Sequence, residues 1–149
     1  MPARRQVKAR VMPAQADRAD ELRRWWAYHS PDGPYPTRNL ILTSALTKGL
    51  RRLDRAIAAG ADLDVSLPPS SVVRDYPRVR FDETLMDFAD RLRGPLYDIR
   101  CSQIVDEDTA RPVYPSRASI ILLSLQIGLD VLTTLYAIPS PSPSSLRAS

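Results

Sequence analysis

Cysteine and histidine are nearly missing from this chain. A single cysteine, Cys101, excludes an internal disulfide framework and a cysteine-built zinc site. A single histidine, His29, excludes any site that needs two imidazoles. Glycine is scarce as well, at 5 residues in 149, and no glycine-rich phosphate loop can be found. The segment Met1–Met12 is basic but has no apolar run, so it does not read as a secretory signal. With so little thiol chemistry, a reduced, cytoplasmic setting is expected.

What is present suits one folded domain or two very small ones. Hydrophobic residues make up 44% and charged residues 26%. The net charge of +4 favours an anionic partner, although a charge of that size also serves solubility. One stretch, Ala118–Ile138, ASIILLSLQIGLDVLTTLYAI, has the length of a membrane span. Asp130 inside it would be costly in lipid, so the stretch is read as a core helix buried on most sides.

The chain contains an internal repeat. Tyr35–Leu53, YPTRNLILTSALTKGLRRL, aligns without gaps on Tyr114–Leu132, YPSRASIILLSLQIGLDVL. Tyr35, Pro36, Arg38, Ile41, Leu46, Gly49, Leu50 and Leu53 recur as Tyr114, Pro115, Arg117, Ile120, Leu125, Gly128, Leu129 and Leu132. Upstream the pattern repeats at a shorter spacing. There Val11, Ala16, Ala19, Leu22 and Trp26 meet Phe81, Met86, Ala89, Leu92 and Leu96. The length difference is assigned to Asp98–Val113, a polar, loop-like insertion that holds Cys101.

Each copy reads as strand, helix, helix. Val7, Ala9 and Val11 alternate with Gln6, Lys8 and Arg10, and Val79 and Phe81 alternate with Arg78, Arg80 and Asp82. Period two predicts strands. Ala14–Tyr28 and Glu83–Leu96 carry apolar residues three or four apart, which predicts helices, with Asp82 as an N-cap. The repeated segment predicts a further helix in each copy, opened by Thr37 or Ser116 as N-cap. In the first copy it runs to Ala59 and stops at Gly60. The repeated Gly49 and Gly128 are read as allowing a close helix crossing. The expected layout is a first unit over 1–60, a linker over 61–77, a second unit over 78–138 and a disordered Pro/Ser tail over 139–149.

A strand with two bare edges and two one-faced helices cannot bury itself; two such units solve the problem by pairing their strands. This arrangement resembles the ribbon-helix-helix DNA-binding superfamily. The resemblance is carried by the strands QVKARV and RVRF and by the helix openings PTRNLI and PSRASI with their Gly-Leu pairs. It covers about Arg4–Tyr136. Carrying both units on one chain makes the protein similar to tandem members: the agrobacterial virulence protein that binds the overdrive sequence beside T-DNA borders, and TraY-type relaxosome proteins. The resemblance implies a mostly α fold with a two-stranded antiparallel β-ribbon, pseudo-dimeric in architecture. It also implies an accessory role in conjugative plasmid or T-DNA transfer, with a transcriptional repressor or antitoxin as the near alternative.

A β-ribbon fits the major groove, where outward side chains reach base edges. The candidate readers are Gln6, Lys8, Arg10, Arg78 and Arg80. The candidate phosphate anchors are Thr37, Arg38, Ser116 and Arg117, at helix starts whose amides point at the ligand. A cation there opposes the helix dipole unless an anion is present; the alternative is that Arg38 and Arg117 pair with carboxylates across the fold. The expected partner is double-stranded DNA, with relaxase or other transfer-complex proteins. The expected form is a monomer that assembles cooperatively on DNA without membrane insertion.

Catalysis is not expected. His29 in HSPDGP is read as a helix end, and no third group orients a His29–Cys101 pair. The acidic run Asp106–Thr109 fits no metal loop, and neither cofactor nor metal is expected. Of Trp25 and Trp26, one is expected in the core and the other at the surface. A reading of another class is an interaction module that associates with membranes through 118–138.

Overall fold

The computed structural model describes residues 5–29, 32–33, 36–60, 76–102 and 112–135. Its elements follow in the order β1 (Gln6–Arg10), α1 (Pro13–His29), α2 (Arg38–Ala58), β2 (Arg78–Asp82), α3 (Glu83–Ser102) and α4 (Arg117–Leu135). Among the described residues the chain is mostly helical, with one two-stranded antiparallel sheet. Most of the linker 61–77, the tail 139–149, the acidic run 106–109 and Tyr35 lie outside the described residues.

The strands pair as their alternation requires. Val7 faces Phe81, Lys8 faces Arg80, Ala9 faces Val79 and Arg10 faces Arg78. One amide bond extends the ladder at each end: Val11 donates to the Pro77 carbonyl and Glu83 to the Arg5 carbonyl, both at 2.9 Å. Val79, Phe81 and the flanking Val11 are buried, and Val7 and Ala9 pack beside them. A one-residue slip would turn this apolar set to solvent, so burial fixes the register.

Each helix start has a local cause. Pro13 opens α1, where its missing amide costs nothing. The buried Gln15 reaches back so that its Oε1 accepts from the Met12 amide at 3.1 Å, one half of a capping box. Asp82 accepts from the Thr84 amide at 3.1 Å and caps α3. Thr37 accepts from the Leu40 amide, and Ser116 from the Ser119 amide, each at 3.1 Å. α2 closes through Ala59 onto Gly60, whose φ of 63° is left-handed and favours glycine. α1 ends at His29, which places a basic side chain in its last turn.

The centre of the fold is the crossing of α2 on α4. A Cβ on Gly49 would fall on the Ser124 carbonyl, and a Cβ on Gly128 on the Ala45 carbonyl. The two glycines therefore let the backbones touch, as the repeat implied. Around the crossing Leu42, Leu46, Leu50, Leu53, Ile120, Leu125, Leu129 and Leu132 are buried. Burying each such side chain stabilises by about 1.5–3 kcal/mol. α4 is long and apolar enough to cross a membrane, yet Ser119–Leu125 is a continuous buried run in the core. Its polar exception, Asp130, is exposed beside Gln126, as a core helix with one wet edge requires.

The shorter-spaced half of the repeat is also visible in burial. Val11 and Phe81, Ala16 and Met86, Ala19 and Ala89, and Leu22 and Leu92 are all buried. The last pair departs from the pattern: Leu96 is buried while Trp26 is half-buried. Trp25 is half-buried as well, stacked on His29, so the tryptophans do not divide into one core and one surface residue.

One boundary differs from the expectation. α3 does not stop at Leu96 but runs on to Ser102, so Asp98–Ser102 is helix rather than loop, and half-buried Cys101 lies in its last turns. Pro95 sits inside this helix and removes the amide that would bond the Arg91 carbonyl. Arg91 is exposed, so water can donate to that carbonyl in the amide's place. Buried Leu96 and half-buried Tyr97 and Ile99 keep the helix against the fold.

Candidate nucleic-acid interface

The outer face of the ribbon is cationic. Gln6, Lys8, Arg78 and Arg80 are exposed, and Arg10 is half-buried with its Nη1 donating to the Tyr76 carbonyl at 3.2 Å. The antiparallel register sets Lys8 directly across from Arg80 and Arg10 across from Arg78. Like charges opposite one another destabilise a ladder. The ribbon thus carries two repulsive cross-strand pairs on its solvent face, held together by the apolar face beneath.

The starts of α2 and α4 repeat one another in detail. Arg38 grips Asp20 with two parallel bonds, Nε to Oδ1 at 3.0 Å and Nη2 to Oδ2 at 2.5 Å. Arg117 grips Asp90 in the same way, at 2.9 and 2.6 Å. Behind each pair, Arg23 Nε donates to the Pro36 carbonyl at 2.9 Å, and Arg93 Nε to the Pro115 carbonyl at 2.8 Å. Each of these arginines also lies beside the aspartate, Arg23 at 3.4 Å from Asp20 and Arg93 at 3.9 Å from Asp90. The bidentate guanidinium holds the Asp20 and Asp90 carboxyls below the ordinary carboxylate range, against a smaller opposing effect of burial. Reciprocally, Asp20 and Asp90 raise Arg38 and Arg117.

The anion that a cation at a helix start requires is therefore supplied from within the chain. Arg38 and Arg117 tie α1 to α2 and α3 to α4. Their side chains remain 44% and 46% exposed, which leaves the guanidinium donors not used by the carboxylate open to a further acceptor. Of the first-turn amides, Leu40 and Ser119 are capped, whereas those of Arg38 and Asn39, and of Arg117 and Ala118, have no acceptor within their helices. Each helix start thus presents two backbone donors and part of a guanidinium at one place.

The arginines were expected at these helix starts; their partners, Asp20 and Asp90, were not. The signal was present: Asp17, Ala19, Asp20, Leu22 and Arg23 recur as Asp87, Ala89, Asp90, Leu92 and Arg93. The polar members of this repeat lie between the apolar ones at the same spacing. Comparison with protein-family models, with curated proteins and with solved structures finds no match to this chain.

Proposed function

We propose that the chain is a tandem ribbon-helix-helix protein that binds double-stranded DNA through the outer face of β1 and β2. The observation that carries this reading is the pair of like-charged cross-strand partners, Lys8–Arg80 and Arg10–Arg78, on one face of a two-stranded ribbon. A merely solvated strand face gains nothing from such pairs, whereas a polyanion relieves their repulsion. In the major groove Arg and Lys donate to guanine O6 and N7, and Gln6 pairs with adenine. The paired helix starts, Thr37 with Arg38 and Ser116 with Arg117, support a phosphate anchor on either side of the ribbon. The two-fold repetition of strand, helix start and glycine crossing supports a pseudo-dimer within one chain. Its use as an accessory factor in plasmid or T-DNA transfer follows from the likeness to tandem members of the superfamily.

The test is selection of duplexes from a random-sequence pool, then titration of the selected and a scrambled duplex across a salt series. Selection of a shared sequence, with affinity falling steeply in salt, supports the reading. Equal, weak binding to both duplexes would reject sequence-specific recognition.

A further inference from the structure

α2 carries a second basic surface that shares no residue with the ribbon. Lys48, Arg51, Arg52 and Arg55 are spaced so that they share one face of the helix, and with Ala56 and Val131 they line a groove of about 580 Å³. Arg51, Arg52 and Arg55 are exposed and Lys48 is half-buried. Among the described residues, none of these four side chains forms an ion pair, although Arg18, Arg23, Arg38, Arg93 and Arg117 all hold carboxylates. In number they equal the whole net charge of the chain, +4.

The repeat shows that the fold does not need this surface. At the matching positions of α4 stand Ile127, Asp130, Val131 and Thr134. The second copy makes the same helix crossing without a single cation there. Four cations on one helix face repel one another and oppose compactness, so their concentration in one copy, with no ion pair among the described residues, points to a reason outside the helix crossing.

We infer that this groove is a docking site for an acidic peptide segment of a partner protein, one that carries aliphatic residues among its carboxylates. The rim supplies guanidinium forks, which bind carboxylates with two parallel bonds. Ala56 and Val131 supply an apolar floor. From Lys48 to Arg55 the basic face spans about 10 Å, two helical turns or about three residues of extended chain. A peptide answers both rim and floor. A nucleic-acid duplex offers only a convex, polar phosphate surface and would leave the floor unmatched. The inference concerns a surface separate from the ribbon and does not depend on what the ribbon binds.

The probe is a fluorescein-labelled synthetic peptide of alternating glutamate and leucine, read by anisotropy on the full chain. A glutamate–serine peptide of equal charge and a random-sequence DNA duplex serve as comparators. The glutamate–leucine peptide is expected to bind at least tenfold tighter than the glutamate–serine peptide, with affinity falling in salt. Arg51→Glu with Arg55→Glu should lower its binding at least tenfold, with helicity by circular dichroism and duplex affinity unchanged. Arg51→Lys with Arg55→Lys should retain part of it. Equal binding of both peptides, or peptide binding indifferent to the Glu substitutions, overturns the inference. So does a large loss of duplex affinity in the Glu variant, which would assign the groove to nucleic acid.

Discussion

In one copy of the repeat, Ala45 and Gly49 form the surface of the helix crossing; in the other, Ser124 and Gly128 do. The glycines are equivalent because each receives the other helix's backbone. The neighbouring residues are not. Ser124 is fully buried, and among the described residues its hydroxyl has no hydrogen-bond partner, whereas Ala45 asks for none. A similar divergence separates the first helices. Buried Gln15 donates from Nε2 to the Leu122 carbonyl at 2.8 Å, while half-buried Leu85 stands at the matching position of α3. The crossing glycines, the starts of α2 and α4 and the isoleucine and leucine core around the crossing are repeated, whereas Ala45/Ser124 and Gln15/Leu85 have drifted. Fused copies are free to drift in this way, because no symmetry forces one residue to serve both sides.

The largest expected effect tests the equivalence itself. Gly49→Ala and Gly128→Ala each place a methyl group on an opposing carbonyl, where backbone faces backbone and no flexible side chain can yield. Each should destabilise by about 3 kcal/mol, the upper part of the range for overpacking. Urea denaturation of the two variants side by side should give similar losses. A loss confined to one would show that the crossing is not shared equally.

Gln15→Ala comes next. It deletes the bond to Leu122 and the cap on Met12 and leaves a small void, at an expected cost of about 2 kcal/mol. Leu85→Ala, at a less buried position, should cost less by the same measurement. Ser124→Ala runs in the opposite direction. Removing an unsatisfied buried hydroxyl should stabilise by about 1 kcal/mol, and Ala45→Ser should destabilise by about as much. If Ser124→Ala lowers the urea midpoint, the hydroxyl is satisfied in solution and the contrast between the copies fails.

The smallest effect concerns the paired aspartates. Asp20→Asn and Asp90→Asn should each cost about 0.5–1 kcal/mol at pH 7, the range of exposed but bidentate pairs. Both folded carboxyls titrate below the ordinary aspartate value of about 3.9, so their contribution is fully present above that value. It declines as the pH falls through the lowered folded value. The Asn variants should therefore approach the parent chain in stability when melts are recorded at progressively more acidic pH. A constant gap across that range would exclude the ion pairs as its source.

Much of this architecture could be read before any coordinates. Alternation over Gln6–Val11 and Arg78–Asp82 named the paired strands, since only one register buries Val79 and Phe81. Thr37, Ser116, Gly60 and the crossing glycines were legible because caps and close approaches demand particular residue types. The run of α3 beyond Pro95 was not, because proline reads locally as a stop and only contacts with the rest of the fold keep the helix going. The grip of Asp20 on Arg38 was only partly legible: Asp20 and Asp90 recur at matching positions, but their meeting with Arg38 and Arg117 is not a local feature. Local sequence shows a cation at a helix start, but which carboxylate meets it depends on how α1 and α2 pack. The groove beside Lys48 depends on a residue of α4, Val131, far away in sequence.

The ribbon is where repulsion within the chain and attraction to a partner should separate most clearly. The measurement is the affinity of the triple variant Lys8→Ala, Arg10→Ala, Arg80→Ala for a selected duplex, taken together with its melting temperature. Each lost bidentate base contact should cost about 1–3 kcal/mol of discrimination. Specific binding should disappear while the melting temperature changes little, because loss of both like-charged cross-strand pairs offsets loss of the Arg10 bond to the Tyr76 carbonyl. A variant that binds the selected duplex as tightly as the parent chain would contradict the account, and the ribbon would not be the surface that reads DNA.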